Sequence, residues 1–230
     1  MAPTSKSPAL GLAPLLAIAV LLFLFGSIAE DVIEGEPFAF DRAILLALRQ
    51  PGNPNLPIGP AWLPEAARDI TSLGSTLVLG LIVVSIVGYL LLERKRAAAW
   101  LILGSVTGGV LLNNLLKLAT GRPRPDIAGP AVQVFTSSFP SGHATLSAIA
   151  YLTLGALLAR TQVSLPIRLY VLSLAVLATM LVGISRVYLQ VHYPSDVLAG
   201  WCIGSAWAMA CWAIMQWLQH RGAIEPPAAP

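Results

Sequence analysis

The sequence predicts an all-α fold, a six-helix transmembrane bundle, and three observations carry that reading. Of its 230 residues, 56% are hydrophobic and 11% charged, with a mean hydropathy of +0.75, far from the roughly 25% charged composition of a soluble domain. Apolar stretches of about 20 residues, enough to cross a ~30 Å hydrocarbon layer as helix, recur along almost the whole chain. Lysine and arginine gather at alternate junctions between those stretches, as they do when basic loops are retained on one side of a membrane.

The first span is Leu10–Ala29. Lys6 precedes it and Ser27-Ile28-Ala29 looks like a cleavage site, but the stretch is longer than the ~7–15-residue core of a signal peptide, so a retained helix is expected. Glu30–Asp69 follows, rich in Pro, Gly and Asn around Pro51–Pro64. It reads as an external loop with at most short helices, not a second domain. The remaining spans are Ile70–Leu92, Ala97–Leu118, Ala144–Ala159, Leu169–Val187 and Val197–Leu218, and residues 1–230 form one membrane domain. Cys202 and Cys211, nine residues apart in the last span, fall on opposite sides of a helix and are expected to be packing residues without a mutual disulfide. Trp201, Trp207, Trp212 and Trp217 are assigned to packing and interfacial anchoring.

Orientation follows from the basic residues. Arg94, Lys95 and Arg96 separate spans two and three, Arg160 and Arg168 separate four and five, and Lys6 and Arg221 lie at the termini. All are expected on the cytoplasmic side. The loop after span one carries Glu30, Asp31, Glu34, Glu36, Asp41, Glu65 and Asp69 against Arg42, Arg49 and Arg68. That loop and those after spans three and five would then face the periplasm of a bacterial cell, with the chain in the inner membrane. The net charge of +3 and pI of about 9.1 are accounted for by topology and a site. No basic run interleaved with aromatics points to nucleic acid.

Four cations break the topological pattern: Lys117, Arg122, Arg124 and Arg186 lie at or near the outer ends of spans three and five. A single arginine there snorkels to headgroups, but four on one face need anionic partners, and the local acids are Asp126 and Asp196. Two of the three histidines, His143 and His192, also fall at outer helix ends, whereas His220 is in the opposite tail. Phe139-Pro140-Ser141-Gly142-His143 opens span four; Ser185-Arg186 closes span five; His192-Tyr193-Pro194-Ser195-Asp196 opens span six. Ser141 is suited to cap a helix and Pro194 to its first turn. Free N–H groups and the positive dipole end at both places outline an anion site. Metal binding is the rival: His192 and Asp196 are four apart, and His143 supplies a third ligand. The neighbouring cations favour a phosphoryl group of about two negative charges over a divalent ion.

Lys117-Leu-Ala-Thr-Gly-Arg-Pro-Arg124-Pro125, then Pro140-Ser-Gly-His143, then Ser185-Arg186 with His192 and Asp196, resembles the three-part signature of the type 2 phosphatidic acid phosphatase superfamily. The motifs cover Lys117 to Asp196. The resemblance implies a phosphatidic acid phosphatase/haloperoxidase-like core, no metal or other cofactor, and a lipid phosphatase partnered by the bilayer. Position by position, it implies that His192 attacks phosphorus, Asp196 holds its imidazole, and His143 protonates the leaving oxygen. A neutral imidazole oriented by a carboxylate is a competent nucleophile. The resemblance further implies that Lys117, Arg124, Arg186, the Ser141 hydroxyl and the Gly142 N–H bind the nonbridging oxygens, fixed positive charge lowering the barrier. Arg122 is an extra cation within the first motif, without an assigned role. Asn113 and Asn114 are expected to hydrogen-bond within the bundle.

The expected activity is metal-independent hydrolysis of a lipid phosphate or diphosphate through a phosphohistidine. Undecaprenyl diphosphate ranks first, ahead of phosphatidic acid, phosphatidylglycerophosphate and lipid A phosphates. A lipid phosphotransferase using the same intermediate, or an anion-conducting protein using the cations for selectivity, are the alternatives. A conducting protein has no need of His192 paired with Asp196.

Overall fold

The computed structural model describes residues 12–35, 38–126 and 136–221, for His220 the backbone alone. Lys6, the start of the predicted first span, Glu36 and the Pro/Ala tail lie outside the described residues. The chain forms a bundle of long apolar helices. Helix α1 (Leu12–Glu34) runs past the expected end at Ala29 and carries Glu30 and Asp31 in its last turns. Most of its surface is apolar and exposed, as at Leu16 and Phe23, the pattern of a lipid-facing helix. Near its end Val32 is buried with Phe139 and Ala199, flanked by Phe25 and Ile28.

Residues 38–62, expected as loop with short helices, fold into α2 (Ala39–Ala47) and a small antiparallel hairpin of β1 (Arg49–Gln50) and β2 (Asn53–Pro57). Gly52, at φ +84°, makes the turn between the strands. The Tyr188 hydroxyl donates to the Ile58 carbonyl at 2.8 Å, tying this excursion to the bundle.

The second predicted span is corrected. Ile70–Leu92 is not one helix: α3 (Leu63–Ser72) and α4 (Thr76–Leu92) meet at a 44° bend. Ser75 restarts the backbone, its hydroxyl accepting from the Val78 N–H at 3.2 Å as an N-cap. Gly74 lies so close to the neighbouring helices that a Cβ there would stand 2.4 Å from Val182 Cγ1 and 3.3 Å from His143 Cβ. The Tyr151 hydroxyl donates to Leu73 O at 2.8 Å. The break is thus packed directly against the start of the fourth predicted span. Among the described residues five helices are long and apolar enough to cross a membrane, or six when the bent pair counts as one span.

The remaining spans are α5 (Arg96–Thr120), α6 (Gly142–Arg160), α7 (Leu165–Tyr188) and α8 (Pro194–His220). Helix α6 is central, packing on α4, α5, α7 and α8, and it buries small residues, among them Ala144, Ser147, Ala148 and Gly155. Gly200 and Gly204 of α8 face it. A Cβ at Gly204 would lie 2.6 Å from the Thr145 carbonyl oxygen and 2.9 Å from Ala148 Cβ. Small residues four apart let two membrane helices approach this closely. The approach sets the N-termini of α6 and α8 side by side, where the Ser141 N–H donates to the Asp196 carbonyl at 3.0 Å. Trp201 and Trp207 pack as expected, their indole N–H groups donating to Thr179 O and Ser105 O. At the far end of the bundle Arg160 donates to Gln219. Arg94, Lys95, Arg96, Arg168 and Arg221 cluster at helix ends there, away from His143 and His192.

Candidate active site

Two helix starts, of α6 and α8, and two helix ends, of α5 and α7, build the site. After α7 the chain turns through Gln190, at φ +55°, and delivers His192, 1% exposed, to the bundle interior. Pro194 occupies the first turn of α8, as expected from its fixed φ and missing N–H. One turn on, Asp196 Oδ2 accepts from the Tyr193 N–H at 2.9 Å and lies 3.4 Å from His192 Nδ1. The other ring nitrogen, Nε2, is 3.3 Å from Arg124 Nη1. The imidazole therefore sits between a carboxylate and a guanidinium, with Nε2 on the cationic side.

Arg124 is aimed there by backbone chemistry. Helix α5 ends at Gly121 in the left-handed region, at φ +60°, a conformation that favours glycine. Pro123 and Pro125 prevent the helix from resuming. Arg124 Nη1 also donates to Val191 O at 2.7 Å, and its other nitrogens reach Thr136 O at 3.3 Å and Thr136 Oγ1 at 3.2 Å. Lys117, in the last turn of α5, donates from Nζ to Ser137 O at 2.6 Å. A Cβ on Gly142 would lie 3.7 Å from Lys117 Cε and 3.4 Å from Asn113 Nδ2, so the α6 start and the α5 end touch. Arg186 Nη1 donates to Thr71 Oγ1 of α3 at 3.1 Å, while its buried Nε has no partner. His143 lies within electrostatic reach of Arg186, His192, Arg124 and Lys117. The eight residues singled out in the sequence, Lys117, Arg124, Ser141, Gly142, His143, Arg186, His192 and Asp196, converge on one place.

One detail differs from expectation. Ser141 occupies the N-cap position of α6, but its side chain makes no capping hydrogen bond. The residue is fully buried and its Oγ lacks a partner. A buried hydroxyl without a partner costs about 1–3 kcal/mol, so an anion that accepts from it recovers that cost.

The charge balance is asymmetric. Lys117, Arg124 and Arg186 are held by carbonyls, hydroxyls and one imidazole. Burial pushes the His192 imidazole down to about 4, against the opposing pull of its Asp196 hydrogen bond. It is neutral at pH 7, with a lone pair available. Burial also lowers Arg124, with Asp196 opposing; a desolvated guanidinium remains charged and gains from an anionic partner. Among the described residues no group of three or more His, Cys, Asp or Glu is placed to hold a metal ion.

Two residues at the site, Ser138 and Asp41, were not singled out in the sequence, and a third, Arg122, was singled out without a role. Ser138, fully buried, donates its hydroxyl to Asp196 Oδ2. Arg122 donates to Asp196 Oδ1 at 2.6 Å and to Asp41 Oδ2 at 3.0 Å. Asp41 comes from α2, 3% exposed. Among the described residues the carboxylates paired with Arg122 are therefore Asp196 and Asp41, the latter 81 positions from its arginine, while Asp126 lines the same cavity. The signal available was the need of Arg122 for a counter-charge; its location was not.

Residues 98–220 match the PAP2 superfamily. The chain belongs to the PAP2 superfamily. It is 34% identical to phosphatidylglycerophosphatase B of Bacillus subtilis, over 80% of this chain and 88% of that protein. It is 33% identical to a lipid A 1-phosphatase of Rhizobium etli, over 64% of this chain and 71% of that one. The crystal structure of the transmembrane PAP2-type phosphatidylglycerolphosphate phosphatase from Bacillus subtilis superimposes with a TM-score of 0.70 at 30% identity, covering 89% of this chain and 96% of that one. This PAP2 protein is a multi-pass membrane enzyme and a lipid phosphatase.

Proposed function

We propose that the protein hydrolyses a lipid phosphate monoester or diphosphate at the periplasmic face of a bacterial inner membrane, without a metal, through a phosphohistidine on His192. The observation that carries the reading is the His192 imidazole, with Nδ1 facing Asp196 and Nε2 on the side of Arg124. In the first step Nε2 attacks phosphorus, the bond to the leaving oxygen breaks, and His143 gives that oxygen its proton. Asp196 balances the positive charge that develops on the His192 ring. In the second step His143 takes a proton from water, the hydroxide attacks phosphorus, and the N–P bond breaks, releasing phosphate and neutral His192.

Lys117, Arg124 and Arg186 hold the nonbridging oxygens, joined by the Ser141 hydroxyl and the Gly142 N–H. A Cβ at Gly142 would meet Lys117 and Asn113 at ordinary contact distance, both within 3.8 Å of it, which places the Gly142 backbone beside the Lys117 side chain. Fixed donors in a desolvated site stabilise phosphoryl charge without reorganisation. The bilayer holds the lipid tail, and the basic ends of the helices at the far pole support a cytoplasmic placement of that pole.

Phosphatidylglycerophosphate stands first as substrate, because the Bacillus relative aligns along most of both chains; undecaprenyl diphosphate, phosphatidic acid and lipid A phosphates complete the panel. The test is phosphate release by purified protein in detergent across that panel, with chelator present. Release from at least one lipid that chelator leaves unchanged is expected. No release from any, or release abolished by chelator and restored by a divalent ion, contradicts the reading. Recovery of labelled phosphate in a second lipid instead of in water marks a phosphotransferase.

A further inference from the structure

Asp196 has two oxygens with different neighbours. Oδ2 faces His192 Nδ1 and accepts from the Ser138 hydroxyl and the Tyr193 N–H. Oδ1 accepts from Arg122 Nη1 at 2.6 Å. The same guanidinium donates to Ser195 Oγ at 2.8 Å and to Asp41 Oδ2 at 3.0 Å, and its carbon lies 4.2 Å from the centre of the Tyr193 ring. Asp41 closes the circuit: Oδ1 accepts from the Ser195 N–H at 2.8 Å and Oδ2 from the Ser195 hydroxyl at 2.5 Å. Asp41, Ser195 and Asp196 are all buried, and the Arg122 side chain is 13% exposed.

We propose that Asp41 and Arg122 are positioning residues that clamp Asp196 from behind, so that α2 fixes the orientation and the available charge of the carboxylate that serves His192. This rests on the reading of His192 as nucleophile. Arg122 alone would neutralise Asp196, leaving little negative charge for the imidazole ring as it becomes cationic. With Asp41 added, two carboxylates face one guanidinium, and the cluster keeps one net negative charge directed at His192. The geometry does the rest. Asp196 Oδ1 is fixed by a charge-assisted bond, so Oδ2 cannot rotate away from Nδ1. Ser195, bonded to Asp41 through both its N–H and its hydroxyl, locks α2 to the first turn of α8.

Partners that orient a functional side chain act at one remove and are sensitive to deletion, typically by roughly 10- to 100-fold. Among the described residues Asp41 and Arg122 hydrogen-bond to Ser195, Asp196 and each other and not to Lys117, Arg124 or Arg186, so their loss should slow the reaction without weakening phosphate binding. That separates a positioning role from a ligand role.

The experiment uses the full chain purified in detergent, with phosphatidylglycerophosphate as substrate and orthovanadate as a phosphate-site probe. Asp41→Asn, Arg122→Gln and Arg122→Lys are compared with wild type for kcat, KM, vanadate inhibition and the rate of phosphoenzyme formation, each normalised to folded protein by size exclusion. Expected for Arg122→Gln and Asp41→Asn is a kcat and a phosphorylation rate roughly 10- to 100-fold below wild type, with KM and vanadate affinity within about twofold. Arg122→Lys, which keeps the charge but not the two-pronged geometry, should fall between them and wild type. Phosphoenzyme forming at the wild-type rate in Asp41→Asn and Arg122→Gln overturns the proposal. So does a loss of activity that only follows the loss of folded protein, or a loss expressed in KM and vanadate affinity. Absence of phosphoenzyme in wild type counts against the His192 reading instead.

Discussion

Arg122 and Arg124 stand two residues apart in one turn of chain, yet they belong to opposite sides of the site. On the Arg122 side, two buried carboxylates surround a single guanidinium. On the Arg124 side, Lys117, Arg124 and Arg186 find carbonyls, hydroxyls and an imidazole and, among the described residues, no carboxylate in hydrogen-bond contact. A buried cation matched by acids is part of the framework, since its charge is already answered. Buried cations without acids, beside an unpartnered hydroxyl at Ser141 and an unpartnered Arg186 Nε, are arranged for an anion that comes and goes. What separates the two arginines is counter-charge, not position in the motif.

The largest break in this contrast comes from its boundary. His192→Ala removes the imidazole proposed as nucleophile, which divides the two sides, and phosphate release should fall by at least roughly 10⁴-fold in a malachite-green assay; residual activity within 100-fold of wild type would place the chemistry elsewhere. Next, Lys117→Ala or Arg124→Ala should each lower kcat/KM by roughly 10²- to 10³-fold, as loss of one fixed donor does, and weaken orthovanadate inhibition in parallel. An Arg124→Ala enzyme that inhibitor binds as well as wild type would erase the distinction from Arg122.

Smaller effects sharpen the same line. Ser141→Ala deletes a hydroxyl with no hydrogen-bond partner among the described residues, so kcat/KM should fall about tenfold or less while resistance to thermal inactivation is unchanged or improved. A clear drop in thermal resistance would make Ser141 a structural cap after all. The remaining test of the same line varies pH. The His192 pKa is depressed from 6.5 to about 4 by burial, so the unfolded chain binds the extra proton first as pH falls. The native state should lose stability progressively between about 6.5 and about 4 and not further below on this residue's account. The wild-type curve of inactivation temperature against pH should thus be steeper in that window than the His192→Ala curve; parallel curves would show that burial does not hold the ring neutral.

Much of this was legible in residues alone. The apolar stretches and the three motifs located the long helices and eight residues that the fold brings together, because hydropathy and glycine, proline and cation spacing are local properties of the chain. The 44° break at Leu73-Gly74-Ser75 was not legible. It adds no charge to the stretch, and the close approach of Gly74 to Val182 and His143 is not displayed by the sequence. Asp41 stayed hidden for a related reason: it looked like one of seven loop acids, and only the fold brings it to Arg122. Ser138 was hidden by its ordinariness, a serine beside a motif. Long-range partners are thus the part of a site that a single sequence conceals.

The measurement that bears most directly on the whole account is rapid quenching of the wild-type enzyme during turnover of phosphate-labelled lipid, followed by peptide mapping. The expected result is an acid-labile, alkali-stable phosphoryl group on His192 that forms and decays at rates consistent with kcat. Turnover with no covalent phosphate, or with phosphate on any other residue, would contradict it.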